Sequence, residues 1–190
     1  MAKLALKGGQ PIRSQPFSKW PIFDEEELEA LKKVLESGLW GIGGSRKKEF
    51  EEKFAFYQNA RHGVAVTSGT VALEISLRAL GVGCGDEVIV PPYTFMATVT
   101  AVFYVNAIPI FADVDNETYT LDPKSVESVI SERTKAILPV HIGGRPADID
   151  ALLSLAQKYD LGILEDACQA WGTEWKGRRV GAIGDLGIFS

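Results

Sequence analysis

At 190 residues and 20.7 kDa, the chain has the length of one large domain by the usual measure of about 150 residues, and is too short for two of full size. Its composition, 46% hydrophobic and 24% charged with 19 glycines and 9 prolines, excludes a disordered, collagenous or low-complexity chain. The net charge of -5 offers no basic face to release counterions from a phosphate backbone, which argues against a nucleic-acid partner.

Residues 1–23 carry Pro11, Pro16 and Pro21 without periodicity and read as an extended surface arm, in which Lys3 and Lys7 interrupt any apolar run of signal-peptide length. Asp24 with Glu27 three residues on forms a capping-box pattern ahead of Leu28, Leu31 and Leu35, and Gly38 closes the helix. A glycine-rich loop, Trp40-Gly41-Ile42-Gly43-Gly44, leads to a second helix capped by Ser45, with Phe50, Phe54 and Tyr57 on one face. Both helices are expected at the periphery. The expected division is therefore 1–62, arm and peripheral helices, and 63–190, the main domain.

From Gly63 onward, apolar runs at 64–67, 87–90, 109–111, 136–140, 162–164 and 186–189 alternate with helical stretches at 70–80, 95–105, 123–131 and 148–159. The runs are nearly continuous in Val, Ile and Leu, as in strands buried on both faces. This predicts an α/β fold: a mostly parallel sheet with helices on both faces. Gly81-Val82-Gly83-Cys84-Gly85-Asp86 precedes a strand and reads as a helix stop and turn. The stretch 88–112 has no charged residue and the length of a membrane span, but Pro91, Pro92 and Pro109 divide it into strand, helix and strand, so no membrane partner is expected. Cys84 and Cys168 make no Cys-x-x-Cys pair, and His62 and His141 are too few and scattered for zinc. The expectation is reduced cysteines, no metal and a cytoplasmic location, with Asn116-Glu117-Thr118 a chance sequon.

In an open parallel sheet, ligands bind outside the carboxyl ends of the strands. Those ends are Thr67-Ser68-Gly69-Thr70, Pro91-Pro92-Tyr93-Thr94-Phe95, Asp113, His141, Glu165-Asp166 and Ser190. Ser68-Gly69-Thr70 opens a helix, where free amides, dipole and hydroxyls either cap the helix or receive a phosphate. There is no Walker lysine and no Gly-x-Gly-x-x-Gly after a strand, which removes the usual support for ATP or a nicotinamide. Asp166, half buried at a strand end, either pairs with a cation or caps a turn. Phe95 is a packing residue or a stacking platform.

The order Ser68-Gly69-Thr70-Val71-Ala72-Leu73, Pro91-Pro92-Tyr93-Thr94-Phe95, Glu165-Asp166-Ala167-Cys168-Gln169-Ala170 and Gly184-Asp185-Leu186-Gly187-Ile188-Phe189-Ser190 closely resembles the DegT/DnrJ/EryC1/StrS family. These are pyridoxal 5'-phosphate (PLP) enzymes of the aspartate aminotransferase fold, mostly sugar aminotransferases. The resemblance implies that Gly69, Thr70 and Ser190 hold the cofactor phosphate and that Phe95 stacks on the pyridine ring. It implies further that Asp166 pairs with the protonated ring nitrogen, keeping the cofactor an electron sink, and that Gln169 bonds the phenolic oxygen.

The chain departs from the pattern where Trp171 stands in place of a frequent His and Cys168 in place of a frequent Ala. The resemblance also implies a Schiff-base lysine a few residues beyond Ser190, and no lysine at hand matches an active-site motif position, so no catalytic residue is assigned within 1–190 and the chain alone is expected to be inactive. The C-terminal small domain of the fold is likewise absent from the sequence. The arm Leu4-Ala5-Leu6-Lys7-Gly8-Gly9-Gln10-Pro11-Ile12-Arg13 resembles the aminocyclitol and aminohydroxybenzoate branch. The resemblance thus implies amino transfer from glutamate or glutamine to a keto-sugar or keto-cyclitol, with Trp40, Tyr93 and His141 on the substrate side and a homodimer as the parent state. The alternatives are PLP-dependent sugar dehydration, with His replacing the lysine, and an inactive fragment or binding module.

Overall fold

The computed structural model describes residues 3–41 and 43–190, so Ile42 of the glycine-rich loop lies outside the described residues. The chain divides into two compact units, 1–46 and 47–190, a division that falls ahead of the 62/63 boundary expected from the sequence.

In the first unit, the described residues of the arm make one 3-10 turn at Ala5–Lys7 and are otherwise irregular, all of them exposed except the half-buried Gly9. Helix α1 (Glu25–Ser37) starts on the full capping box: the Asp24 carboxylate accepts from the Glu26 amide, and the Glu27 carboxylate accepts from the Asp24 amide at 2.7 Å. Gly38, at φ 66°, ends it in the left-handed conformation. No α1 residue is buried, and Leu28, Leu31 and Leu35 stay exposed.

Most of α2 (Ser45–Tyr57) belongs to the second unit. Ser45 is its first residue rather than a cap outside it. Phe50 and Phe54 stack at 5.6 Å, and Phe54 meets Trp171 and Phe189 edge-on at 5.4 and 5.0 Å.

The sheet is built from β1 (Glu87–Val90), β2 (Ile108–Phe111), β3 (Thr134–Ile137), β4 (Gly162–Asp166) and a last strand, Leu186–Ile188. Between β4 and that strand lies a small antiparallel hairpin, β5 (Glu174–Trp175) with β6 (Arg178–Arg179), so the last strand is β7. The sheet order is β2-β1-β3-β4-β7, and every pairing is parallel. Helices α3 (Gly69–Ala79), α4 (Ala97–Tyr104), α5 (Pro123–Val129) and α6 (Ile149–Tyr159) cover it. The α/β reading of a mostly parallel sheet between helices therefore holds.

The continuous apolar runs explain the two cores, because alternate residues of each strand serve opposite faces. Val88, Val90, Ala136, Leu138 and Leu164 pack with Leu73 and Leu77 of α3 and Ala101 and Val102 of α4. Ile89, Ile137 and Ile163 pack with Val126 of α5 and Ile149, Leu152 and Ala156 of α6.

Several boundaries differ from expectation. Residues 64–67 are no strand: Val64 is 77% exposed, and the Ala65 amide donates to the Glu51 carboxylate instead of a neighbouring strand. The run 136–140 ends as a strand at Ile137, since Pro139 has no N–H to give the ladder, and Val140 then bridges Asp166. Helix α4 begins at Ala97, two residues after Phe95, and β7 stops at Ile188. The chain also turns from β5 to β6 through Lys176 and Gly177, both at positive φ (51° and 78°), the geometry of a tight two-residue hairpin.

Candidate cofactor site

From β1 the chain runs through α4 to β2 at one edge of the sheet, while β3 lies on the other side of β1; the strand order thus reverses beside β1. Ligands of such sheets sit outside the carboxyl ends at that reversal. Asp166 closes β4 at this end and is 5% exposed. Its Oδ2 accepts from the Thr98 hydroxyl at 2.9 Å and its Oδ1 from the Cys168 amide at 3.2 Å. Among the described residues no cation pairs with it. A buried carboxylate with two donors has acceptor capacity left and a charge not yet balanced.

Three further elements converge on the same turn. Helix α3 starts at Gly69, with Ser68 as N-cap accepting from the Val71 amide, so the Gly69 and Thr70 amides have no carbonyl partner within the helix. A Cβ placed on Gly69 would lie 2.8 Å from Ser190 Cβ, 3.1 Å from Ser190 Oγ and 3.4 Å from Cys168 Sγ. Only glycine permits this approach of α3 to Ser190 at the end of β7. Trp171 Nε1 donates to the carbonyls of Cys168 and Ser190, both at 3.2 Å, tying the segment after β4 to the one after β7. Burial, with the Asp166 charge beside it, pushes the Cys168 thiol well above its ordinary range and keeps it protonated. Cys168 therefore acts here as packing between Asp166 and Gly69, not as a nucleophile.

Gln169 is exposed, and its Oε1 accepts from the Gly143 amide at 2.7 Å, which leaves its NH2 end as the donor toward any ligand. Phe95 is 72% exposed, in the turn that opens α4, its carbonyl accepting from the Thr98 amide. Gly69, Thr70, Phe95, Asp166, Gln169 and Ser190 all stand at the carboxyl end of the sheet. Free helix amides beside a hydroxyl, a buried carboxylate, an exposed aromatic face and an amide donor suit a phosphorylated heteroaromatic with a protonated ring nitrogen.

The three residues expected on the substrate side differ in their surroundings. His141 is fully buried: Nδ1 accepts from the Ala147 amide at 3.1 Å and Nε2–H donates to Glu165 at 3.0 Å, so neither ring nitrogen is left for a substrate. Tyr93 is exposed and lies 6.0 Å from the Tyr119 ring. Trp40 belongs to the first unit, where its indole donates to the Leu35 carbonyl. Sequence reasoning missed Thr98, and it named Thr94 and Glu165 at strand ends without giving either a role. The one signal for the threonines was their i, i+4 spacing in a stretch without charge.

The family model for the DegT/DnrJ/EryC1/StrS aminotransferases matches residues 21–190. The chain belongs to this family. Its members use PLP as cofactor. An L-glutamine:2-deoxy-scyllo-inosose aminotransferase of Streptomyces paromomycinus is 44% identical over 193 residues, covering 98% of this chain and 46% of the relative. Among solved structures, 3-amino-5-hydroxybenzoic acid synthase superposes with a TM-score of 0.89 at 42% identity, covering 92% of this chain and 46% of that one. An aminotransferase from Psychrobacter cryohalolentis follows at 0.88 and 42%, covering 92% and 45%. The chain thus spans somewhat under half the length of these DegT/DnrJ/EryC1/StrS relatives. The fold is that of the PLP-dependent aminotransferases.

Proposed function

We propose that this chain carries the cofactor-binding part of a PLP-dependent aminotransferase that moves the amino group of glutamine or glutamate to a keto-cyclitol. The observation that carries the reading is the buried carboxylate of Asp166, with which no cation pairs among the described residues, set beside the Gly69–Ser190 approach. The keto-cyclitol acceptor and the glutamine donor are supported by the name of the Streptomyces paromomycinus relative.

In this reading the Gly69 and Thr70 amides and the Ser190 hydroxyl take the phosphate, where the α3 dipole adds to the attraction. Phe95 offers its face to the pyridine ring. Asp166 accepts the ring N–H and so keeps the proton on that nitrogen. Gln169, its oxygen held by Gly143, donates from its NH2 to the phenolic oxygen. Bound there, PLP supplies the electron sink for chemistry at the donor's α-carbon. Lysines 32, 33, 47, 48, 53, 158 and 176 each pair with a carboxylate at the exposed surface. Because the chain spans under half the length of its relatives, we assign turnover to the full-length protein and cofactor binding to residues 1–190.

Two measurements test this. Pyridoxamine 5'-phosphate needs no lysine to bind, and titration of the chain should give saturable binding that Asp166→Ala weakens at least tenfold, because a charge-assisted hydrogen bond is lost. The full-length protein should convert a keto-inositol to its amine with glutamine as donor. A deoxygenated product in place of the amine would overturn the transfer reading.

A further inference from the structure

A carboxylate that must meet a ring nitrogen has to be held in orientation as well as in place, and at Asp166 that task falls to groups outside the expected set. The two threonine hydroxyls Thr94 Oγ1 and Thr98 Oγ1 are 2.8 Å apart, a distance at which either could be the donor. Thr98 has one hydroxyl proton, and it donates to the Asp166 carboxylate. The 2.9 Å contact to Asp166 Oδ2 therefore uses the Thr98 proton, and Thr94 must be the donor to Thr98. The order is fixed: Thr94 to Thr98 to Asp166. Thr98 is fully buried, on the first turn of α4, and Thr94 is separated from Phe95 by one peptide bond. The chain of hydroxyls thus joins the segment that carries the aromatic face to the carboxylate at the end of β4.

We infer that Thr98 is a positioning residue of the cofactor site: its hydroxyl, polarised by that of Thr94, orients the Asp166 carboxylate toward the ring nitrogen and sets the spacing between that carboxylate and Phe95. The inference rests on the reading of Asp166 as the ring-nitrogen partner. Successive hydroxyl donors in a buried setting strengthen one another, so loss of the last link weakens the acceptor geometry. Thr98→Val keeps the shape and removes the hydroxyl; Thr98→Ser keeps the hydroxyl and removes a methyl.

The test is a titration of the unaltered chain and both variants with pyridoxamine 5'-phosphate, following its fluorescence, with the pH at which the bound ring nitrogen loses its proton read from absorbance. Thr98→Val should weaken binding about tenfold and bring that deprotonation to lower pH, while Thr98→Ser stays within about twofold on both counts. Inorganic phosphate, which needs only the Gly69, Thr70 and Ser190 groups, should compete with the same affinity in all three proteins, a result that general loosening of α4 would not give. Thr94→Val should move both readouts in the same direction by less. Equal losses in Thr98→Val and Thr98→Ser would overturn the inference, as would a Thr98→Val protein indistinguishable from the unaltered chain. Failure of the unaltered chain to bind pyridoxamine 5'-phosphate would instead overturn the functional reading, and the two failures are therefore separable.

Discussion

Glu165 and Asp166 are neighbours on β4 and, by strand alternation, face opposite layers. Asp166 lies toward α4 with acceptor capacity left, whereas Glu165 is saturated: Oε2 accepts from His141 Nε2 and the Gly181 amide, Oε1 from the Ile183 and Gly184 amides. The saturated carboxylate pins the loop leading to β7 and, through His141, the turn before α6. Burial alone would raise the Glu165 pKa, but the His141 hydrogen bond and the Gly184 and Gly181 amides outweigh it and hold the group below the ordinary 4.5. A lowered carboxylate pKa stabilises the fold fully above the unfolded value, and the contribution fades as pH falls through the folded one. Glu165→Gln should cost about 3 kcal/mol at pH 7 in urea unfolding, since an amide NH2 would face donors in either orientation. The gap between the two proteins should narrow as the pH drops below about 4.5. The sequence located His141 at a strand end but could not reveal that Ala147 and Glu165 consume both its nitrogens, because those partners meet only when β3 and β4 pair.

Two glycines show how element-level geometry separates stability from function. Gly177 turns β5 into β6 at φ 78° with open space around it, whereas Gly69 starts α3 against Ser190. Gly177→Ala is strained by backbone alone and should cost about 1 kcal/mol, a few degrees of Tm, with pyridoxamine 5'-phosphate affinity unchanged. Gly69→Ala instead forces α3 and Ser190 apart and should abolish that binding. Equal binding in the two variants would show that the α3 approach is not part of the site. The sheet strands and their helices were legible because double burial leaves unbroken Val, Ile and Leu runs. Residues 64–67 carried the same signature, yet pairing needs a neighbour with free ladder groups, which no pattern within the segment encodes; Glu51 takes the Ala65 amide instead. The β5–β6 hairpin was missed for the opposite reason: two-residue strands are too short for periodicity, and Lys176-Gly177 was its only mark.

Across the whole molecule, every residue assigned to the cofactor belongs to the unit 47–190, while the unit 1–46 contributes a helix without a buried residue and an exposed arm. Cofactor binding should therefore act unevenly. Pyridoxamine 5'-phosphate at a hundred times its Kd adds about 2.7 kcal/mol to whatever unfolds together with the site, roughly 5–10 °C in Tm for a chain of this length. Amide hydrogen exchange resolves where that free energy goes, because protection rises only in elements whose opening releases the ligand. Amides at the start of α3, in the turn 94–98 and around Asp166 to Gln169 should slow by an order of magnitude or more, and β3 and β4 should follow through their shared ladder. Amides of α1 should exchange at the same rate with and without ligand. Slowing in α1 comparable to that in α3 would mean that the arm unit takes part in binding, with Trp40 as its candidate ligand contact.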